Sequence, residues 1–103
     1  MKSWESLETL LGGYLHEDFA DLHGSAWGAV DTFARDEPEY APHLHREITD
    51  LIDAYRSESD LEGALVDLGL NYLPTADGWD NHRTWLLAVA DRVDEILHSS
   101  PAA

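Results

Sequence analysis

The chain has 103 residues and no cysteine, which suits one small domain and excludes a disulfide framework, a thiolate metal site and a cysteine nucleophile. Six Lys and Arg residues stand against 21 Asp and Glu residues, so the formal charge at pH 7 is −15. Because phosphate backbones and anionic lipid surfaces attract cationic partners, this charge argues against direct binding of nucleic acid or of a membrane.

The first predicted helix runs from about Trp4 to Leu15, with Ser3 as its N-cap. Apolar residues recur in it every three or four positions, which is the spacing of one buried helix face. Gly12 and Gly13 weaken its last turn. We therefore expect this helix to end where a segment rich in titratable residues begins.

The second predicted helix covers about residues 26–35 and follows Ser25, a suitable N-cap. The third runs from about Pro42 to Tyr55 and has the clearest apolar periodicity in the chain. Pro38 and Pro42 separate the two helices, since the residue before a proline is pushed out of the helical region.

The fourth predicted helix is short, about residues 60–68, with Ser59 and Glu62 as a capping box. A loop with turn signals at Pro74 and at 77–78 follows, and the fifth helix runs from residue 81 or 82 to Leu97. Alternating apolar and polar residues never persist as they do in strands. The sequence predicts an all-α fold, a single compact bundle of four to five helices over residues 1–98, with a frayed tail at 99–103.

Patterns typical of catalysis or metal binding are weak. His43 and His45 would point about 200° apart on a helix, which makes a shared metal ion difficult. The sequence shows neither a nucleophile elbow nor a glycine-rich phosphate loop. We expect no metal, no cofactor and no enzymatic activity; a small metal-dependent enzyme using His16 and Asp18 remains the alternative.

Acidic residues crowd the segment 17–39, where seven carboxylates stand against the single base Arg35. Packing does not require such a bias, so this segment is our first candidate surface for a cationic partner. The seven residues are Glu17, Asp18, Asp21, Asp31, Asp36, Glu37 and Glu39.

A second candidate surface is Trp79 with its flanking acids Asp77 and Asp80, because tryptophan is favoured at binding hot spots. Phe19, Tyr72 and Trp79 lie in non-periodic segments, and we expect them to cover the core from loops; a role as interface anchors is the alternative. His16 and Asp18 are interpreted as a hydrogen-bonded pair that closes the first helix.

Four short motifs, spread over nearly the whole chain, resemble in their order those of a family of small bacterial immunity proteins of contact-dependent growth inhibition systems. They are GGYLHEDF at 12–19, FARDEP at 33–38, LGLNYLPTADG at 68–78, which contains Tyr72 and Pro74, and Trp85-Leu86 in the last helix. The chain departs from the family pattern in having Glu17 where glutamine is common and Trp79 where a small residue is usual.

The resemblance implies a cytoplasmic protein that binds and blocks the C-terminal toxin domain of a cognate effector, and such toxins are often nucleases. A nuclease domain tends to be basic because it must hold a polyanion, which agrees with the acidic charge of this chain. We hypothesise a non-enzymatic immunity protein, monomeric when free, that neutralises its toxin by steric and electrostatic blocking. The alternative is a general acidic interaction module without a toxin partner.

Overall fold

The computed structural model describes residues 4–15, 25–70 and 72–99. These residues form five α-helices and no strand, which confirms the predicted all-α fold. The α-helices are α1 (Glu5–Glu8), α2 (Ala26–Asp36), α3 (Ala41–Ala54), α4 (Glu58–Asp67) and α5 (His82–Ser99). A π-helix, Thr9–Tyr14, continues α1, and a 3-10 helix, Pro74–Asp77, precedes α5. In the described ranges, no helix combines the length and the apolar character needed to cross a membrane.

Helix α5 lies at the centre of the bundle and packs against α2, α3 and α4. Its inner face buries Trp85 completely, together with the periodic apolar residues that the sequence pattern placed toward the core. They meet the equally periodic face of α3, so one continuous core holds the helices. The buried residues of these two faces are Ala41, Leu44, Ile48, Leu51, Ile52, Trp85, Leu86, Val89, Ala90 and Val93.

Two polar pairs on α5 tie it to its neighbours. The Arg92 guanidinium donates to both carboxylate oxygens of Asp31 on α2, at 2.7 and 2.8 Å. Nδ1 of His45 on α3 lies 2.6 Å from Oδ2 of Asp94. These pairs link α5 to α2 and to α3.

The second half of the first predicted helix differs from the expectation, since its hydrogen bonds reach five residues back, as from Leu15 N to the Leu10 carbonyl at 3.0 Å. This wider turn contains Gly12, whose backbone touches Gly69. A Cβ placed on Gly69 would lie 3.1 Å from the Gly12 Cα. The glycines therefore do more than weaken the helix; they allow two backbone segments to pack directly.

The N-cap residues predicted from the sequence are correct for α2 and wrong for α4. Ser25 caps α2, accepting a hydrogen bond from Gly28 N at 3.0 Å as expected. The predicted start of the fourth helix was wrong, because Ser57 rather than Ser59 is the N-cap and accepts from Asp60 N at 3.1 Å. Helix α5 continues to Ser99, one residue into the predicted tail. The N-cap candidate Ser3 and the rest of the tail lie outside the described residues.

Candidate functional site

The end of α2 and the turn into α3 carry three acidic residues, Asp36, Glu37 and Glu39, which we call the acidic corner. Asp36 and Glu39 are exposed and Glu37 is half-buried. The backbone of this turn is fixed, since the Glu37 carbonyl accepts from Tyr40 N at 3.1 Å and from Ala41 N at 2.8 Å. Within the described part of the chain, none of the three carboxylates forms an ion pair.

The position of the acidic corner opposes the dipole of α2. Asp36 is the last residue of this helix and Glu37 is its C-cap. The C-terminus of a helix carries partial negative charge, so a carboxylate there is unfavourable by roughly 0.3–1 kcal/mol. The stability of α2 therefore does not explain the presence of these two acids.

Tyr14, at the end of the π-helix, lies beside the acidic corner. Its ring meets the buried Phe33 edge-on, with centroids 5.7 Å apart. Burial raises the pKa of the Tyr14 phenol, and the charges of Glu37 and Asp36 raise it further. Tyr14 thus stays protonated at neutral pH, and its hydroxyl is a hydrogen-bond donor in the same negative field.

Asp31 differs from the other acids predicted for this surface. Its hydrogen bonds from Arg92 hold its pKa below the ordinary value, although partial burial opposes the effect. The Asp31 charge is thus compensated inside the bundle. The remaining predicted residues of the segment, Glu17, Asp18 and Asp21, together with the predicted pair partner His16, lie outside the described residues.

The second predicted surface, Asp77, Trp79 and Asp80, lies in the segment 72–80, which contains two half-buried aromatic residues, Tyr72 and Trp79. The Trp79 ring lies 5.8 Å from Trp27, and the Tyr72 ring lies 5.5 Å from the buried Trp85. Both aromatics pack against the core, as one of the two sequence interpretations expected. Their role as contacts for a partner stays a prediction.

Polar groups and a turn complete this segment. Pro74 is buried and begins the 3-10 helix, which Gly78 closes with φ +96°. The Tyr72 hydroxyl donates to the Asp77 carboxylate, and burial together with this bond raises the Tyr72 pKa. Asp80 is exposed, so it is the acid of this segment that is available to a partner.

A further cleft, which the sequence analysis missed, lies at the other end of α3. Tyr55, Arg56, Glu58 and Leu61 line it on one side, and Asn81 and Arg83 line it on the other. These residues come from two segments about twenty positions apart, and neither segment shows a motif. The sequence signal for Arg56 and Arg83 is that basic residues are rare in this chain, with six Lys and Arg against 21 Asp and Glu.

Two of the described histidines, His45 and His82, pair with carboxylates. His82 is buried, with Nδ1 2.5 Å from Glu58 Oε2 and Nε2 3.8 Å from Glu62 Oε2. Among the residues that the structure describes, no group of three or more His, Asp or Glu side chains is arranged to hold a metal ion. These contacts connect α4 to α5.

The comparisons with known proteins agree with the motifs. A family model described as the CdiI immunity protein matches residues 3–93. The comparison with curated proteins and the comparison with solved structures gave no match. The matched range includes the acidic corner, the segment 72–80 and most of α5.

Proposed function

The chain belongs to the family of CdiI immunity proteins, which neutralise toxins of contact-dependent growth inhibition systems, and from this premise we propose that it blocks a basic toxin domain with its acidic corner. We propose that this toxin domain is a nuclease. Such a domain holds a polyanionic substrate in a cationic groove. A carboxylate surface that covers this groove competes with the substrate for the same electrostatic field.

The observation that carries this proposal is the placement of Asp36 and Glu37. Both lie at the negative end of α2, and neither is paired with a described cation. Glu39 adds a third carboxylate in the same turn. Acids that the fold does not use, on a protein of charge −15, favour fast and salt-sensitive association with a cationic protein.

We also propose a cellular location and an oligomeric state for the protein. It acts in the cytoplasm, where an incoming nuclease would reach its substrate, and the free protein is monomeric. The large negative charge supports the monomer, because like-charged copies repel. Light scattering of the free protein and of the mixture with its toxin domain measures both states. We expect one copy alone and a one-to-one complex.

The test is the affinity for the toxin domain encoded beside this gene, measured as a function of salt concentration. The variant Asp36→Asn, Glu37→Gln, Glu39→Gln removes three charges from the acidic corner. We expect its dissociation constant to rise at least ten-fold at low salt, mainly through slower association, because peripheral charges act on encounter. The matched control is Asp67→Asn, Asp91→Asn, Glu95→Gln, which removes three exposed acids from α4 and α5.

The control variant has the same net charge as the acidic-corner variant. If both variants lose the same affinity, net charge and not the acidic corner drives association. If the wild-type protein neither binds the toxin domain nor slows its hydrolysis of nucleic acid, the proposed function is wrong, and the general interaction module becomes the better interpretation.

A further inference from the structure

A cleft of about 100 Å³ opens where α3 ends and where α4 and α5 begin. Arg56 and Arg83 are two of the residues that line it. Tyr55, the C-cap of α3, also lines it and has 40% of its surface exposed. The cleft is thus a small basic and aromatic surface on an otherwise acidic protein.

Neither arginine of the cleft has an ion-pair partner among the residues that the structure describes. Carboxylates outnumber Lys and Arg residues by 21 to six in the chain. Even so, within the described ranges neither Arg56 nor Arg83 forms an ion pair. Arg92 and Arg46, by contrast, each have a carboxylate within 4 Å. The arginines at the cleft are therefore available to an anion from outside.

Glu58 also lines the cleft, but its charge is engaged elsewhere. Its two carboxylate oxygens accept from His82 N at 3.0 Å each, and Oε2 lies 2.5 Å from Nδ1 of His82. Burial alone would raise the Glu58 pKa, yet these bonds and one from the Arg83 backbone hold it below its ordinary value. Glu58 thus caps α5 and leaves the two guanidinium groups uncompensated.

Arg83 also opposes a helix dipole. It is the second residue of α5, and the N-terminus of a helix carries partial positive charge. A cation there is unfavourable for the same reason that the acids at the end of α2 are unfavourable. Local folding therefore explains the presence of Arg83 no better than it explains the acidic corner.

The size of the cleft selects the kind of occupant. Sites for small molecules and cofactors enclose about 300–1,000 Å³, so this volume suits a single side chain. Leu87, 42% exposed, lies one helical turn after Arg83 and extends the surface with an apolar contact. Tyrosine and arginine around a small cavity are the residue types that carry binding energy at protein interfaces.

We propose that this cleft binds an aspartate or glutamate side chain of the toxin domain, between Arg56 and Arg83. The inference rests on the proposed function and adds a second contact to it. Attraction by the acidic corner has little directionality, whereas a guanidinium holds a carboxylate in a fixed, bidentate geometry. The acidic corner then speeds encounter, and the cleft sets the orientation in which the cognate toxin is retained.

The experiment measures binding kinetics of the full chain with the same toxin domain. The variants are Arg56→Gln and Arg83→Gln, singly and together, with Arg46→Gln as control. Arg46 is exposed on α3 and only 3.9 Å from Asp50, so its loss changes the net charge equally without touching the cleft. All variant side chains are exposed, and thermal unfolding checks that each variant is folded.

For the double variant we expect dissociation to be at least ten-fold faster, while the salt dependence of association stays close to that of the wild type. Arg83→Lys should recover only part of the loss, because an ammonium cannot form the bidentate pair. In toxin variants, replacing the bound carboxylate by its amide should give the same loss, and combining it with Arg83→Gln should add little.

Dissociation of the double variant at the rate of Arg46→Gln would overturn this inference and leave the proposed function intact. If every arginine variant, Arg46→Gln included, changes affinity equally, net charge is the cause and the cleft has no special role. If the wild-type chain does not bind the toxin domain, both the proposed function and the inference fail.

Discussion

The two ends of helix α3 carry opposite charge. The acidic corner precedes its first residue, and the arginine cleft follows its last. A helix of 14 residues separates them by about 21 Å, which is within the width of an ordinary protein interface. Asp36 and Glu37 oppose the dipole of α2 and Arg83 opposes that of α5. Glu39 and Arg56, by contrast, lie at the ends of α3 that favour their charges. Helix stability therefore leaves Asp36, Glu37 and Arg83 unexplained, one or more of them at each surface.

Different residues attach the two ends of α3 to neighbouring helices. At the acidic end, the buried carboxylate of Glu47 accepts from Ser6 N at 3.2 Å and from Leu7 N at 3.0 Å, and the Ser6 hydroxyl donates to the Tyr40 carbonyl. These bonds attach α1 to α3. At the cleft, the connection is made by the exposed Glu58 and the buried His82. At each end, a carboxylate thus accepts backbone hydrogen bonds from the first turn of a neighbouring helix.

The largest expected effect comes from removing the support of the acidic end. Glu47→Ala leaves two backbone donors of α1 buried without their acceptor, which should lower the free energy of unfolding by about 2–3 kcal/mol. Urea denaturation followed by circular dichroism measures this loss. The control is Asp53→Ala, an exposed acid on the same helix, for which a change within about 0.5 kcal/mol is expected. Equal effects of the two variants would contradict the capping role of Glu47.

A smaller effect is expected at the contact between the π-helix and the end of α4. Gly69 has φ +110°, and an added Cβ would crowd the Gly12 backbone at 3.1 Å. Gly69→Ala should therefore lower the free energy of unfolding by about 1–2 kcal/mol. Gly63→Ala, inside α4 with open space around its Cβ, is the matched control and should raise stability by about 0.5–1 kcal/mol. A destabilised Gly63→Ala would mean that helix propensity does not govern α4.

The smallest expected change in the free energy of unfolding is at the acidic corner, where stability and toxin binding should change in opposite directions. Asp36→Asn, Glu37→Gln removes two charges that oppose the α2 dipole, so the free energy of unfolding should rise by about 0.3–1 kcal/mol while toxin binding weakens. Thermal denaturation and binding measured on the same preparation test this opposition. A variant that is both less stable and weaker in binding would show that these acids serve the fold.

The same variant changes the ionisation of Tyr14. Its pKa should fall toward the ordinary value of 10.0 but stay above it, because burial, the largest cause, remains. Since the raised pKa keeps the phenol protonated in the fold, its contribution to stability is present below pH 10 and is lost as the pH rises through the folded pKa. Absorbance titration of the phenolate measures the shift, and an unchanged pKa would place the two acids too far from Tyr14 to act on it.

Local sequence signals predicted much of this architecture. The apolar stripes of α3 and α5 are visible in the sequence of each helix alone. Both helices begin within one or two residues of their predicted starts. The Ser25 cap is equally local. At the start of α4, both Ser57 and Ser59 are suitable N-cap residues. The backbone geometry shows that Ser57 is the N-cap. Signals that compete within a few residues are therefore the ones that sequence patterns resolve poorly.

Contacts between distant segments could not be predicted in this way. Glu47, 40 residues from Leu7, has no pattern that marks it as a buried cap of α1. The π-helix depends on the approach of Gly69, which belongs to the end of α4. The pairing of Asp31 with Arg92, 61 residues apart, removes one predicted acid from the free surface. Each of these needs the tertiary fold, because the partner is absent from the local sequence.

By itself, the sequence determined the helical class, the positions of the helices and the strong excess of negative charge, because periodicity, capping and composition are properties of neighbouring residues. Only the tertiary structure decided which acids are neutralised internally and which remain exposed at the corner, and only it brought Arg56 and Arg83 to one cleft. Charge compensation depends on distance in space, and folding alone sets those distances.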